Sequence, residues 1–229
     1  MSKIAIITGA TGNLGKAVTK KMVEKGFRVI GTTEPGKDDQ SNEEKISYKA
    51  VDLLNYKAAQ AFIEEIISVY GKIDAAICLV GGFDMGTLEE TSHEDLEKMI
   101  NLNFFTAFNT IQPILRLLKQ QEERKNIVLI GAKPVFNPNA AKAVFSYALS
   151  KTMIINMANV INADSKQKHA IATVIVPSII DTPPNRAAMP DADFSDWVSP
   201  ESIAEKIAFV CGEGGKDLRE TVLKIYGNS

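Results

Sequence analysis

The chain has 229 residues, 24% of them charged, with a formal net charge of −2. That length suits one large α/β domain and is short for two, and the balanced charge leaves no nucleic-acid footprint. No apolar run approaches the ~20 residues a membrane span needs, and Cys78 and Cys211 lie far apart without CxxC spacing, which speaks against a disulfide framework or a zinc site.

The N-terminus "MSKIAIITGATG" reads as a strand leading into a turn, without a signal-peptide cleavage pattern. Together with the cysteine usage this gives the expectation of a cytoplasmic protein. From there, short β-branched apolar runs alternate with longer helical segments. Strands are predicted at 3–8, 27–32, 46–51, 72–80, 126–131, 170–176 and 221–226, several of them continuously apolar. Helices are predicted at 13–25, 55–70, 92–121, 141–163 and 200–211. Apolar runs of this kind belong to strands covered on both faces, so the expected fold is a Rossmann-type, doubly wound parallel sheet of about seven strands with helices on both faces. One domain is expected over 1–229, with no repeat and no linker.

The first strand runs into "ITGATGNLGKA" (7–17), where Gly9, Gly12 and Gly15 are spaced GxxGxxG. Glycine suits a tight turn, close backbone approach to a pyrophosphate, and close helix–strand packing. Phosphates would sit on free amides at the positive end of the following helix. Gly9, Thr11, Gly12, Asn13, Leu14 and Gly15 are therefore the candidate phosphate cradle of a dinucleotide.

The second strand ends in "IGTTEPGK", placing Thr33 and Glu34 where an acid would meet the ribose hydroxyls. Glu34 would repel a 2′-phosphate and so favours NADH slightly, while Thr33 with a swinging Lys37 would accept one. Glu34 reads equally as a solvated turn carboxylate. Within the polar loop 34–45 no element is expected. Beyond the third strand, Asp52 and Leu53 of "AVDLLN" stand where a carboxylate would accept from an adenine amino group, or cap the next helix. Val80, Gly81 and Gly82 of "CLVGGF" end the fourth strand, either as an ordinary turn or as a close approach to the cofactor.

Thr91 with Glu94 matches a capping box, Pro113 should kink the long helix, and Ser199–Pro200 fits an N-cap followed by proline. "YALSK" puts Tyr147 and Lys151 one helical turn apart on one face. The segment 177–198, rich in proline and small residues, is too long for a plain connection and reads as a flap. His93 and His169 have no partner at metal-ligand spacing, so no metal is expected.

"TGATGNLG", "VDLLN", "LVGG", an asparagine in the fourth helix, "YALSK" and "PSIIDT" together resemble the short-chain dehydrogenase/reductase superfamily over essentially the whole chain. Asn13 holds the place of one family glycine, and Ser178 stands where the family often has glycine. "IDAAICLVGGF", "LIGAK" and "DTPPNRAAMPDADFSDW" narrow the resemblance to the dihydropteridine reductases.

The resemblance implies that Tyr147 is the proton donor and that Lys151 lowers its pKa and holds the nicotinamide ribose. It also implies that Asn103 holds a relay water in a locally distorted helix, with Asn101 ranked behind it. Pro177, Ile179 and Thr182 would meet the nicotinamide end. The implied reaction moves hydride from NAD(P)H to a small cyclic substrate, a quinonoid dihydropteridine. An activated carbonyl, quinone or enone is the alternative substrate, and a non-catalytic nucleotide sensor the alternative protein class. No nucleic-acid or membrane partner is expected, and the family's pairing faces imply a homodimer.

Ordinary carbonyl reduction would call for a serine hydroxyl beside the tyrosine, and the chain has Gly131, Ala132, Lys133 and Pro134 there. Ala132 cannot donate to a developing alkoxide. The dihydropteridine reductases also lack this serine, and their electron-poor ring needs less polarisation. Phe83, Met85, Pro184, Met189, Phe194 and Trp197 are apolar candidates to close over a flat ring, or plain packing.

Overall fold

A computed structural model describes residues 2–37, 43–119, 121–164, 169–219 and 221–228. Seven strands form one parallel sheet: β1 (Lys3–Thr8), β2 (Phe27–Thr33), β3 (Ile46–Ala50), β4 (Ala75–Cys78), β5 (Lys125–Ile130), β6 (Ala170–Pro177) and β7 (Val222–Ile225). Their spatial order is β3-β2-β1-β4-β5-β6-β7. The helices are α1 (Asn13–Glu24), α2 (Tyr56–Tyr70), α3 (His93–Ile100), α4 (Thr106–Leu117), α5 (Pro138–Ala141), α6 (Phe145–Ala163), α7 (Pro183–Ala188) and α8 (Pro200–Cys211). Successive strands are added on one side of β1 as far as β3 and on its other side from β4 onward, with β1 and β4 parallel and Thr8 opposite Cys78. Connections leaving a switch point in opposite directions open a crevice at the carboxyl ends of the strands.

Alternation along each strand builds two cores. Ala5 and Ile7 of β1 pack with Val18 and Met22 of α1 and with Ile203 and Ile207 of α8. Ile4 and Ile6 turn the other way, toward Phe62, Ile63 and Ile66 of α2. Beyond them, Ile127, Leu129, Val174 and Val176 meet Ile111 of α4 and Ile154 and Ala158 of α6. Each of the larger side chains here (Val, Leu, Ile, Met, Phe), once buried, contributes about 1.5–3 kcal/mol. Both faces are thus apolar, which is why the strands read as unbroken hydrophobic runs.

Several local expectations are corrected. The capping box of α3 is one residue later than Thr91/Glu94: Ser92 Oγ accepts from Asp95 N at 3.1 Å, and Asp95 Oδ2 accepts from Ser92 N at 3.2 Å. Thr91 instead donates its hydroxyl back to the Thr87 carbonyl at 2.7 Å. The helix expected over 92–121 is divided by a π-helical turn, Asn101–Phe105, and its last segment ends at Leu117. Pro113 lies inside α4 with helix on both sides, and the change of hydrogen-bond pattern is upstream of it. The strand expected over 72–80 spans Ala75–Cys78: at one end the Gln121 side chain bonds both backbone groups of Ile73, and at the other Leu79 N donates to Thr8 Oγ1 at 3.1 Å. The helix expected from 141 begins at Phe145, since Val144 is drawn into a bridge with Gly86.

Ser199 caps α8 as expected, accepting from Ser202 N at 3.1 Å. Residues 38–42 of the polar loop lie outside the described residues, and its flanks are exposed. The 177–198 segment carries α7 and a 3₁₀ turn, Phe194–Asp196, and is closed by a bridge between Ile180 and Val198. Within it Asp181 holds Arg186 by two bonds, of 2.6 and 2.8 Å, and Phe194 packs on Trp197.

The two versions of the cap separate in urea unfolding. Ser92→Ala should cost about 1 kcal/mol, while Glu94→Ala should stay within about 0.5 kcal/mol of the parent. The reverse order would restore the Thr91/Glu94 box.

Candidate active site

At the carboxyl end of β1, Gly9 takes a φ of +66°, a conformation open to glycine and strained for other residues. Its amide donates to Thr32 Oγ1 at 3.3 Å, and its carbonyl accepts from Gly12 N at 3.1 Å. A Cβ on Gly15 would lie 2.1 Å from that carbonyl, so glycine there lets α1 seat directly on the turn. Gly12 caps α1 with no side-chain acceptor, which leaves the first-turn amides of Asn13 and Leu14 directed outward at the positive end of a 12-residue helix.

This turn is the floor of a cleft of about 1050 Å³. Of the residues singled out from sequence, Gly9, Thr11, Gly12, Thr33, Glu34, Asp52, Leu53, Val80 and Gly81 line it. Asn13, Leu14, Gly15, Gly82, Tyr147, Lys151, Pro177, Ile179 and Thr182 do not. The cleft also takes in Thr32, Lys37, Leu102 and Thr106. At its rim Glu34 and Lys37, both exposed, form an ion pair of 2.6 Å.

Asp52 does not cap α2. Its carboxylate accepts from Leu54 N at 3.0 Å within its own turn, and Asn55 is the cap, accepting from Ala58 N at 3.2 Å. Asn109 fixes this corner by donating to the Leu53 carbonyl at 2.9 Å.

The second half of the site is built where the π turn meets α6. Asn103, 2% exposed, accepts from Gly82 N at 3.0 Å and donates to Gly82 O at 3.2 Å and Ser150 Oγ at 3.0 Å. The extra residue of a π turn is what swings Asn103 inward, while Asn101 stays partly exposed. A Cβ on Gly81 would lie 2.6 Å from Asn103 Oδ1 and 3.3 Å from Lys151 Nζ, so the bare backbone is what lets these groups converge.

Lys151 is buried, and its ammonium donates to the Ile130 carbonyl at 3.0 Å. Burial pulls its pKa down to about 8. Tyr147 lies one turn earlier, with Lys151 Nζ 5.9 Å from its ring centroid and Phe83 edge-on at 5.0 Å. The expected lowering of the phenol pKa by the lysine is not what this geometry gives: burial pushes Tyr147 up to about 12. At this separation desolvation of the phenolate outweighs the attraction of the cation.

Ala132, 3% exposed, follows β5 and opens a 3₁₀ turn, Lys133–Phe136. It presents only a methyl group. On the flap, Pro177 pairs with Ile225, and Ser178 Oγ donates to Tyr226 O at 2.9 Å. The Ile179 carbonyl already accepts from Val198 N at 2.9 Å. Thr182 Oγ1 accepts from Asn185 N at 3.4 Å and keeps its hydroxyl proton to donate. Among the described residues, no three or more metal-binding side chains gather, and no helix is long and apolar enough to cross a membrane.

Comparison with known proteins agrees with this architecture. The family model described as short chain dehydrogenase matches residues 3–193. An acetoacetyl-CoA reductase of Acinetobacter sp. is 24% identical, covering 98% of this chain and 96% of its own. A dihydropteridine reductase of Dictyostelium discoideum is 27% identical, covering 90% and 87%. Among solved structures, ElxO with NADP bound superposes with a TM-score of 0.89 at 21% identity, over 99% of this chain and 98% of that one. Ligand-free aldohexose dehydrogenase of Thermoplasma acidophilum gives 0.84 at 23%, over 99% and 93%.

A lysine held near 8 costs stability at neutral pH, because the unfolded chain binds that proton and the folded chain resists it. Lys151→Met should therefore raise stability at pH 7 by about 1–3 kcal/mol, less whatever is lost at the Ile130 carbonyl. The gain should shrink as pH climbs from about 8 toward 10.5, where the folded parent has shed the proton and the unfolded chain still binds it. Urea unfolding of both proteins across that range checks the sign.

Proposed function

The chain belongs to the short-chain dehydrogenase/reductase superfamily, and we propose that it is an NAD(P)H-dependent reductase of a small, flat cyclic substrate, a quinonoid dihydropteridine. The observation that carries this reading is the pairing of an inward Asn103–Lys151–Tyr147 group with a methyl at Ala132. Phe83 supports it. Its ring is 61% exposed and edge-on to Tyr147, an apolar wall beside the proposed proton donor.

Fit to a dinucleotide rests on the chain's own cradle: uncapped amides at Asn13 and Leu14, and no room for a side chain at Gly15 or Gly81. In this reading Gly9, Thr11 and Gly15 complete the phosphate turn. Thr33 and Glu34 meet the adenosine ribose, and Asp52 and Leu53 the adenine. Val80, Gly81, Gly82, Pro177, Ile179 and Thr182 border the nicotinamide end, with the Ile179 amide and the Thr182 hydroxyl as donors. When bound, the cofactor supplies the hydride.

Tyr147, neutral at pH 7 with a pKa of about 12, is a reservoir of one proton for the product anion and a poor base. Lys151 is mostly cationic at pH 7 and holds one edge of the site positive. Ala132 donates nothing, and a reaction that depends on a second donor would forgo about 2.7–4 kcal/mol of transition-state stabilisation. A quinonoid ring, which becomes more aromatic on reduction, depends on that donor least.

Reduction of an activated carbonyl, quinone or enone is the second reading, favoured by the resemblance to an acetoacetyl-CoA reductase over 98% of the chain. NADH is slightly preferred, because Lys37 is engaged by Glu34 and is not free for a 2′-phosphate. We read residues 1–229 as one unit, with 177–198 the flap over the substrate. Buried thiols at Cys78 and Cys211 fit a cytoplasmic setting. The groove of about 650 Å³ between α4 and α6, lined by Phe104, Phe108, Ile111, Met157 and Val160, is the proposed homodimer face.

Turnover of quinonoid dihydropterin, menadione and a ketoester, each with NADH and NADPH, tests the function. Pterin should be reduced fastest, and Tyr147→Phe should lose about 10²–10⁴-fold in kcat. Turnover of ketoester without pterin would move the protein to the second reading, and cofactor binding without any turnover would make it a nucleotide sensor. In the same assay Glu34→Ala should raise, and Lys37→Ala lower, the ratio of NADPH to NADH use.

A further inference from the structure

Asn109 lies one turn beyond Thr106 on α4 and is 5% exposed, behind the lining of the cofactor cleft. Its side-chain nitrogen donates to two backbone carbonyls of the turn between β3 and α2, Leu53 O at 2.9 Å and Leu54 O at 3.3 Å. Carbonyls only accept, so these contacts also fix which end of the amide is the NH₂. We propose that Asn109 is a positioning residue that sets the Asp52 carboxylate to accept from an adenine amino group, so that the chain prefers adenine over hypoxanthine dinucleotides. The inference rests on the dinucleotide reading given above.

The link from Asn109 to Asp52 is one peptide plane. In the trans peptide between Leu53 and Leu54, the carbonyl and the N–H point to opposite sides. Asn109 holds the carbonyl, and at the other edge Leu54 N donates to Asp52 Oδ1 at 3.0 Å. Neighbouring contacts fix the rest of the turn. Val51 N bonds Thr33 O at 3.1 Å, Asn55 N bonds Asp52 O at 3.2 Å, and the Val51 and Leu53 side chains are packed in the core beneath α2. None of these holds the rotation of the Leu53–Leu54 plane. Of the two edges that do, the Asp52 bond is exposed and competes with water, while the Asn109 bond to Leu53 O is buried. The buried edge therefore sets the plane, and the plane sets the carboxylate.

With Oδ1 spent on Leu54 N, Asp52 leaves Oδ2 for a ligand in the cleft that it lines. A carboxylate oxygen accepts and does not donate. Adenine presents an amino donor at its six position, and hypoxanthine presents a carbonyl oxygen there, so that two acceptors would face each other. A site built on a hydrogen bond rejects a ligand that cannot make it. The effect belongs to the base end alone, because Asn103, six residues earlier, hooks the Gly82 turn at the other end of the cleft.

Fluorescence titration of the full chain with NADH and with reduced nicotinamide hypoxanthine dinucleotide reads the preference without a second substrate. The parent should bind NADH about tenfold more tightly or better. Asn109→Ala should cut that ratio to about threefold or less, chiefly by weakening NADH. Asn109→Ser, whose hydroxyl bonds back to its own helix, should do the same and serves if the alanine variant does not fold. Tyr56→Phe removes another bond between α2 and α4, from Tyr56 Oη to Gln112 Oε1 at 2.8 Å, and should leave the ratio unchanged. In an Asp52→Ala background the change at Asn109 should alter the ratio no further. A parent that binds both dinucleotides equally, a ratio unmoved in Asn109→Ala, or an equal fall in Tyr56→Phe would overturn the proposal and leave the dinucleotide reading standing. A parent that binds no nicotinamide dinucleotide would overturn both.

Discussion

The burial of one ammonium group organises the site. Lys151 lies 5% exposed on α6, and its partner is a backbone carbonyl, Ile130 O, rather than a carboxylate. A cation in that position is costly to desolvate, and the cost appears as a pKa drawn down to about 8. The fold tolerates it because β5 ends at that point, leaving the last carbonyl of the strand to face α6. Shifting β5 by one residue against β6 would turn Ile130 to the other face and leave Lys151 without its acceptor. Packing of the two cores and placement of the site are therefore one constraint.

Around that cation, closeness of approach is achieved by leaving side chains out. Gly15 lets α1 rest on the Gly9 carbonyl, and Gly81 lets an amide oxygen and the ammonium converge. Gly131 does the same one layer further along, since a Cβ there would lie 2.8 Å from Val174 Cγ1 and 2.9 Å from Val176 Cγ2. Gly81 and Gly131 lie just past strand ends, and Gly15 in the first turn of the helix that follows one. Glycine in the strands themselves would weaken the sheet, and placed just beyond them it admits helices and polar groups to the crevice.

How much of this was legible in the sequence differed by level. Strand positions were readable because both faces are buried and apolar runs have no other common use here, and the first glycine turn because it follows such a run. The π turn was not readable from composition. "NLNFF" carries no breaker, and the bulge follows from tertiary demands on Asn103 rather than from local propensity. The α3 cap was misplaced by one residue because "TSHED" contains two overlapping boxes, and only packing decides that Thr91 turns back to Thr87. Asp52 was ambiguous for a similar reason, with Asn55 three residues on as a competing cap. Ser150 gave no signal, since a serine within a helix ordinarily bonds back to its own backbone, and half of its bonding does so. The direction of the Tyr147 shift depends on the balance of burial against a charge 5.9 Å from its ring, and sequence spacing carries no distances.

The methyl at Ala132 fits the same economy. A serine at that position would bring a hydroxyl to a spot only 3% exposed, between the end of β5 and the 3₁₀ turn whose Val135 N already bonds the Ala132 carbonyl. Unless a substrate oxygen met it, that hydroxyl would be a buried group seeking a partner, at about 1–3 kcal/mol. Lys133 does not supply the missing donor, because its ammonium is drawn 5.0 Å above the Tyr226 ring. The polar capacity of this site is thus concentrated on one side, in Tyr147, Lys151, Asn103 and Ser150, and the side at Ala132 is left apolar. Under the function proposed above, a flat ring that takes its proton from that one side suits this asymmetry better than a carbonyl oxygen that must be held from two sides.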